Sequence, residues 1–162
     1  MSLSHRPLDH LVLPVVDLAT ARLRLSALGF AVAPEARHPF GTENACVYFS
    51  DSTYLEPIAI ADQQIYDQNF PKSEFVRRDR AYRFRNGDDG LSAIVFKSED
   101  AEADHAEFAE AGLGVGDLFR FQRPYKLADG TEATAGFRLA FAADLRELSE
   151  GRWCRRERHR HH

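Results

Sequence analysis

Apolar and polar positions along the chain fall into two kinds of period, and the two alternate. Leu8-Asp-His-Leu-Val-Leu-Pro-Val15 is an apolar, β-branched run bounded by Pro7 and Asp17. It predicts a mostly buried strand. Asp17 is placed to cap a helix in which Leu18, Ala21, Leu25 and Leu28 recur at helical spacing, and Gly29 stands where a left-handed C-terminal residue is wanted. Three strand candidates follow, at Phe30 to Arg37, Asn44 to Ser50 and Thr53 to Ile60, the last two joined through Asp51-Ser52. The pattern is βαβββ.

A second copy starts at Leu91-Ser-Ala-Ile-Val-Phe-Lys97, passes through Ser98-Glu-Asp100 and enters a helix that runs to Ala111 and stops at Gly112. Leu91, Asp100 and Gly112 each lie 83 positions after Leu8, Asp17 and Gly29, and Val95 falls on Val12 at the same spacing. Strand, cap and stop agreeing without a gap point to duplication. Gly116 to Gln122 and Thr134 to Ala142 serve as further strands of this copy, turned by Ala128-Asp129-Gly130. Beyond Asp144 no strand-like run remains, and Leu145 to Glu150 reads as a short helical or frayed piece. The expected class is therefore α+β, with two tandem βαβββ modules curving a mixed sheet around a concave pocket, the second module lacking its last strand. The expected organisation is a single domain over 1–162: module one at 7–62, a connection at 63–89, module two at 90–144 and a basic tail at 145–162. The connection is rich in breakers, Pro71, Asn86-Gly87 and Asp88-Asp89-Gly90, with a short helix expected around Ser73 to Ala81.

Composition narrows the function classes. The chain has 162 residues, 44% hydrophobic and 28% charged, the balance of a folding soluble domain. Its apolar runs fall far short of the roughly 20 residues a spanning helix needs, and no secretion signal is evident, so the cytoplasm is expected. Cys46 and Cys154 have neither disulfide nor zinc spacing and read as free thiols. A net charge of -4 argues against nucleic acid as a partner, the basic end from Gly151 to His162 notwithstanding. Arg77, Arg78, Arg80, Arg83 and Arg85, interleaved with Tyr82 and Phe84 and diluted by Asp79, Asp88 and Asp89, read as a solvated linker. No Ser-His-Asp order, phosphate loop or CxxC is present.

Candidate chemistry gathers in module one. Strand alternation puts His10 on one face with Leu8 and Val12, and Glu56 on one face with Tyr54 and Ile58. A carboxylate among apolar neighbours needs a partner, and a metal, His10 or an arginine would serve. Between strands, His38-Pro-Phe-Gly-Thr-Glu-Asn44 offers an imidazole, a hydroxyl and an amide in one loop, with Gly41 permitting the turn, so His38, Thr42 and Asn44 are candidate ligand-binding residues. Arg138 is a candidate for neutralising an anionic substrate.

Leu8-Asp-His10, Ala27-Leu-Gly-Phe30, His38 to Asn44 and Tyr54-Leu-Glu56 together resemble the glyoxalase-like group of the vicinal oxygen chelate superfamily, over about residues 7 to 144. The resemblance implies a small-molecule enzyme that polarises an oxygen-bearing substrate, with lyase, isomerase and dioxygenase types left open. It implies His10 and Glu56 as ligands of a divalent metal (Ni, Zn, Mn or Fe), with Glu56 and His10 also catalytic. The ligand set is incomplete, because the position matching His10 in module two is Ala93. A rival expectation is a non-catalytic binding or resistance-type protein using the same cavity. The edge left by the missing strand invites a homodimer.

Overall fold

The computed structural model describes residues 6–126 and 131–143. The turn expected at Ala128 to Gly130, the segment from Leu145 to Glu150, Cys154 and the basic tail lie outside the described residues. Strand β1 (Leu8–Pro14) leads through Asp17 into helix α1 (Leu18–Ala27), and the Asp17 carboxylate accepts the Thr20 amide at 2.7 Å, the N-cap the sequence calls for. Short strands β2 (Ala36–Arg37), β3 (Thr42–Asn44) and β4 (Val47–Tyr48) follow, then β5 (Tyr54–Ile60). These replace the two longer strands expected at Phe30 to Arg37 and Asn44 to Ser50. Thr42 and Asn44 accordingly belong to a strand, and the loop around them contracts to the turn through Pro39, Phe40 and Gly41.

Gly41 makes that turn obligatory. Its φ is +88°, and a Cβ there would sit 2.5 Å from the Tyr66 amide nitrogen and 2.7 Å from the Asp62 carbonyl. The connection holds two helices in place of one, α2 (Gln63–Asn69) capped by Asp62 and α3 (Glu74–Asn86) capped by Ser73. The arginine-rich stretch is thus a helix, not a solvated linker. Its Asp79 and Arg83 form a buried ion pair at 2.9 Å, Tyr66 donates to the same carboxylate oxygen at 2.7 Å, and Arg83 also donates to the carbonyls of Val15 and Ile58. The outer face keeps the sequence's polarity, and Phe84 stands exposed.

Module two provides β6 (Ala93–Phe96), α4 (Ala101–Glu110), β7 (Phe119–Lys126) and β8 (Glu132–Leu139). Helices α1 and α4 correspond residue for residue at the 83-position spacing. The first strands overlap at that spacing, with Ala93–Phe96 of β6 falling on residues 10–13 of β1. Sheet order is β2-β3-β5-β1-β6 with β4 on β5; β1 is parallel to β5 and antiparallel to β6. In the β1–β6 pair, His10 faces Val95, Leu11 faces Ile94 and Val12 faces Ala93. Because Ala93, Ile94 and Val95 are the counterparts of His10, Leu11 and Val12, this register is symmetric about the Leu11–Ile94 pair. The join between modules is therefore a local two-fold. Strands β7 and β8 form a separate two-stranded sheet.

The core sits in module one and its connection. Leu18, Ala45 and Ala59 pack between α1 and β5, and Phe40, Tyr66 and Val76 pack beneath the turn, with Phe119 and Phe121 of β7 laid against them. That second cluster holds the separate β7–β8 sheet over the strands that carry the polar residues.

Candidate functional site

Parallel pairing of β1 with β5 sets His10 opposite Tyr54 and Val12 opposite Glu56, so the His10 and Glu56 side chains are diagonal neighbours on one face. The His10 ring stacks on Tyr54 with centroids 4.3 Å apart, which fixes its plane, and its Nε2 lies 3.3 Å from Glu56 Oε2. Strand β3 runs antiparallel on the other side of β5 with Asn44 opposite Ile58, again a diagonal neighbour of Glu56. The Asn44 amide donates to Glu56 Oε1 at 2.6 Å. His38, at the turn into β3, brings Nε2 to 4.0 Å from the same oxygen and 3.5 Å from Asn44 Nδ2, and its Nδ1 meets Thr42 Oγ1 at 2.8 Å. His10, Glu56, His38, Thr42 and Asn44 thus form one polar chain across three strands.

Asp9 extends the chain, and the sequence alone did not single it out. Its carboxylate lies 2.7 Å from His10 Nδ1. Adjacent residues of a regular strand point to opposite faces, but the β1–β6 pairing slips between Leu8 and His10, a bulge that turns Asp9 back toward its neighbour. Arg138 does not join. It is exposed on β8 and pairs with Glu102 of α4 at 3.3 Å, because it has the opposite strand parity from Phe137 and Phe121, which stack on the inner face. Arg123 does have the inner parity, on the same face of β7 as Phe119 and Phe121. Its signal in the sequence was that alternation, read from Phe119 onward.

Electrostatics divide the two imidazoles. Burial opposes charge on His10, but hydrogen bonds and charges from Glu56 and Asp9 outweigh it and raise its pKa above the ordinary 6.5. Burial would raise Glu56, which is only 8% exposed, yet the hydrogen bond and charge of His10, the Asn44 amide and His38 hold it below its ordinary range. For His38 burial dominates, and with the Arg123 charge it lowers the pKa despite Glu56. Burial pushes the Cys46 thiol up to about 12, so this buried free cysteine is no nucleophile. These shifts favour the charged forms of Glu56 and His10 and the neutral form of His38. A protonated His10 meets both carboxylates with a donor, whereas neutral His10 would turn a lone pair toward one of them.

The donor set does not fit a divalent ion of the kind the resemblance implies. His10 and His38 address different oxygens of Glu56, Ala93 stands at the two-fold counterpart of His10, and among the described residues no group of three or more His, Cys, Asp or Glu could hold a metal. Two donors fall short of the roughly three that an open catalytic centre keeps. A shallow groove of about 390 Å³ at the Ile60 end of β5 includes none of these polar residues.

Fold and site together define an α+β protein of paired βαβββ modules with an imidazole–carboxylate line on the inner face of its first module. The chain belongs to the Glyoxalase-like domain family, whose model matches residues 8–157. No curated protein matches it. Among solved structures it is similar to a hypothetical protein from Staphylococcus aureus, at 15% identity and a TM-score of 0.60 over 86% of this chain and 54% of that one. It spans about half the length of that protein. It is also similar to a hypothetical protein from Bacillus halodurans C-125, at 16% identity and a TM-score of 0.56 over 86% of each chain. A methylmalonyl-CoA epimerase variant from Streptomyces coelicolor, in complex with 2-nitronate-propionyl-CoA, aligns at 22% identity and a TM-score of 0.49 over 81% of this chain and 86% of that one.

Proposed function

We propose that the chain is a glyoxalase-like small-molecule enzyme in which Glu56 and His10 move a proton between carbon and oxygen of a carbonyl substrate. The observation that carries the reading is the Asp9–His10–Glu56 line, with His10 Nδ1 2.7 Å from Asp9 and its Nε2 3.3 Å from Glu56. Glu56 takes the proton from the carbon beside the carbonyl, and the freed electron pair moves onto the carbonyl oxygen. That oxygen receives the proton from His10 Nε2, giving an enol (an enediol where that carbon carries a hydroxyl) and a neutral His10. Return of the two protons in the opposite sense regenerates substrate or delivers its isomer. Asp9 keeps Nδ1 occupied, so the proton leaves from Nε2, and Asn44 orients the Glu56 carboxylate.

The family's metal-dependent chemistry would place a divalent ion at His10 and Glu56, supplying Lewis-acid stabilisation of the oxygen; with two donors the proton route above carries the reading. The buried free thiol of Cys46 suits a reducing, cytoplasmic setting. A second reading, a binding protein without chemistry, draws on Ala93 in place of a second histidine.

The test is exchange of the carbon-bound proton next to a carbonyl, followed by proton NMR in D2O with dihydroxyacetone, pyruvate and methylglyoxal as probes. Catalysed exchange that falls about 10²-fold or more in Glu56→Gln and in His10→Gln supports the enzyme. Saturable binding of a probe with no exchange above the buffer rate supports the second reading.

A further inference from the structure

The β7–β8 sheet is held over module one by aromatic packing. Phe121 meets Phe40 at 5.1 Å and the edge of His38 at 5.9 Å, and Phe119 meets Phe40 at 5.5 Å. Arg123, two positions on, shares their face by strand alternation. Its guanidinium carbon lies 5.7 Å from the centroid of the Phe137 ring, and its Nε is buried with no hydrogen-bond partner. Among the described residues no carboxylate forms an ion pair with it, although most other arginines of the structure have one. Phe121, on the same face of β7 two positions before it, lies 5.9 Å from the His38 ring, so this face of β7 is turned toward the polar chain.

This guanidinium has no carboxylate partner among the described residues, and leaving its buried Nε unmet costs free energy that an oxyanion would recover. Arginine presents a planar fork suited to carboxylate or phosphoryl oxygens, and stacking on Phe137 fixes the plane of that fork. The two-fold counterpart of Arg123 would fall at Phe40, so nothing in module one duplicates it.

We propose that Arg123 is the specificity residue of this site and takes an oxyanion group of the substrate, so that the substrate class is a small carbonyl compound bearing a carboxylate or phosphoryl group. This rests on the proton-transfer reading for the word substrate, but the anion site stands without it. The anion docks under β7, and the carbonyl end reaches toward Glu56 and His10.

Binding is measured by calorimetry and ligand-observed NMR with pyruvate, inorganic phosphate and pyruvamide, the last being the uncharged counterpart of pyruvate. Wild type is expected to bind an anion at least about tenfold more tightly than pyruvamide. Arg123→Met loses that preference, and Arg123→Lys, which keeps the charge without the fork, falls between the two; melting temperatures show that each variant is folded. Preference for pyruvate assigns a carboxylate, and preference for phosphate assigns a phosphoryl group. Equal binding of anion and amide, no anion binding by wild type, or an unchanged preference in Arg123→Met overturns the proposal. Glu56→Gln separates the two readings. If it still binds the anion but exchange was never catalysed, the proton chemistry fails and the anion site stands; if exchange is lost with Glu56 while Arg123→Met changes nothing, the reverse holds.

Discussion

Module one and module two begin alike and end differently. Each opens with a strand, an aspartate cap and a ten-residue helix at the same spacing, and their first strands pair about a local two-fold. In module one, β5 lies against β1, buries Ile58 completely and carries Glu56 inward, and α1 buries Leu18. In module two, β6 has β1 on one side and no second neighbour among the described residues, Ile94 and Phe96 are 56% and 51% exposed, and α4 buries nothing. The fourth strand makes the difference. It closes the core and delivers the carboxylate at once, and among the described residues module two has no strand in that place.

Truncating one apolar strand residue in each module breaks or sharpens that contrast most strongly. Ile58→Ala is expected to cost about 2 to 5 kcal/mol in chemical denaturation. Ile94→Ala should change stability by no more than about 0.5 kcal/mol. A large cost at Ile94 would mean that the β6 edge is covered in solution, as in a homodimer, and light scattering on wild type would show it.

Breaking the buried Asp79–Arg83 pair with Arg83→Met should cost about 3 to 5 kcal/mol, because it strands a carboxylate whose second oxygen already lacks a partner. Arg138→Met, on the exposed pair with Glu102, should leave the denaturation midpoint nearly unchanged.

Metal titration probes the asymmetry next. Nickel, zinc or manganese should bind wild type weakly and barely move its melting temperature. Ala93→His, which restores the two-fold counterpart of His10, should tighten binding. Tight stoichiometric binding by wild type that is lost in His10→Ala would restore the ion to the site.

The pH dependence is the smallest effect. His10, raised in the fold, contributes stability that is full below pH 6.5 and is lost as pH rises through its folded value. Glu56, lowered, contributes stability present above pH 4.5 and lost as pH falls through its folded value. His38, lowered, contributes stability present above pH 6.5 and lost as pH falls below that. Melting curves should therefore show His10→Gln flattening the alkaline side and His38→Gln the acid side.

Local signals carried the legible part. Asp17, Gly29, Asp100 and Gly112 mark helix ends by their own chemistry, and the constant spacing between copies needs no tertiary information. His10 and Glu56 were readable because strand alternation and the family resemblance agree on them. Of the two connecting helices α3 was legible from Ser73 onward, although it runs on to Asn86, whereas α2, before Pro71, was missed although Asp62 is a good cap. Asp9 was hidden because a bulge overrides alternation. Arg138 was misplaced and Arg123 missed because inner and outer faces of a hairpin exchange with a one-residue change of register, and register is set here by Phe119 and Phe121 packing on Phe40.

The protonation of the two histidines tests the account most directly. Nitrogen-15 NMR of the imidazole rings across a pH titration is predicted to show His10 protonated on both nitrogens with a pKa above 6.5, and His38 neutral with its pKa below that value. Glu56→Gln should bring the His10 value down. A neutral His10 at pH 6.5, or titration of the two rings in the opposite order, would contradict it.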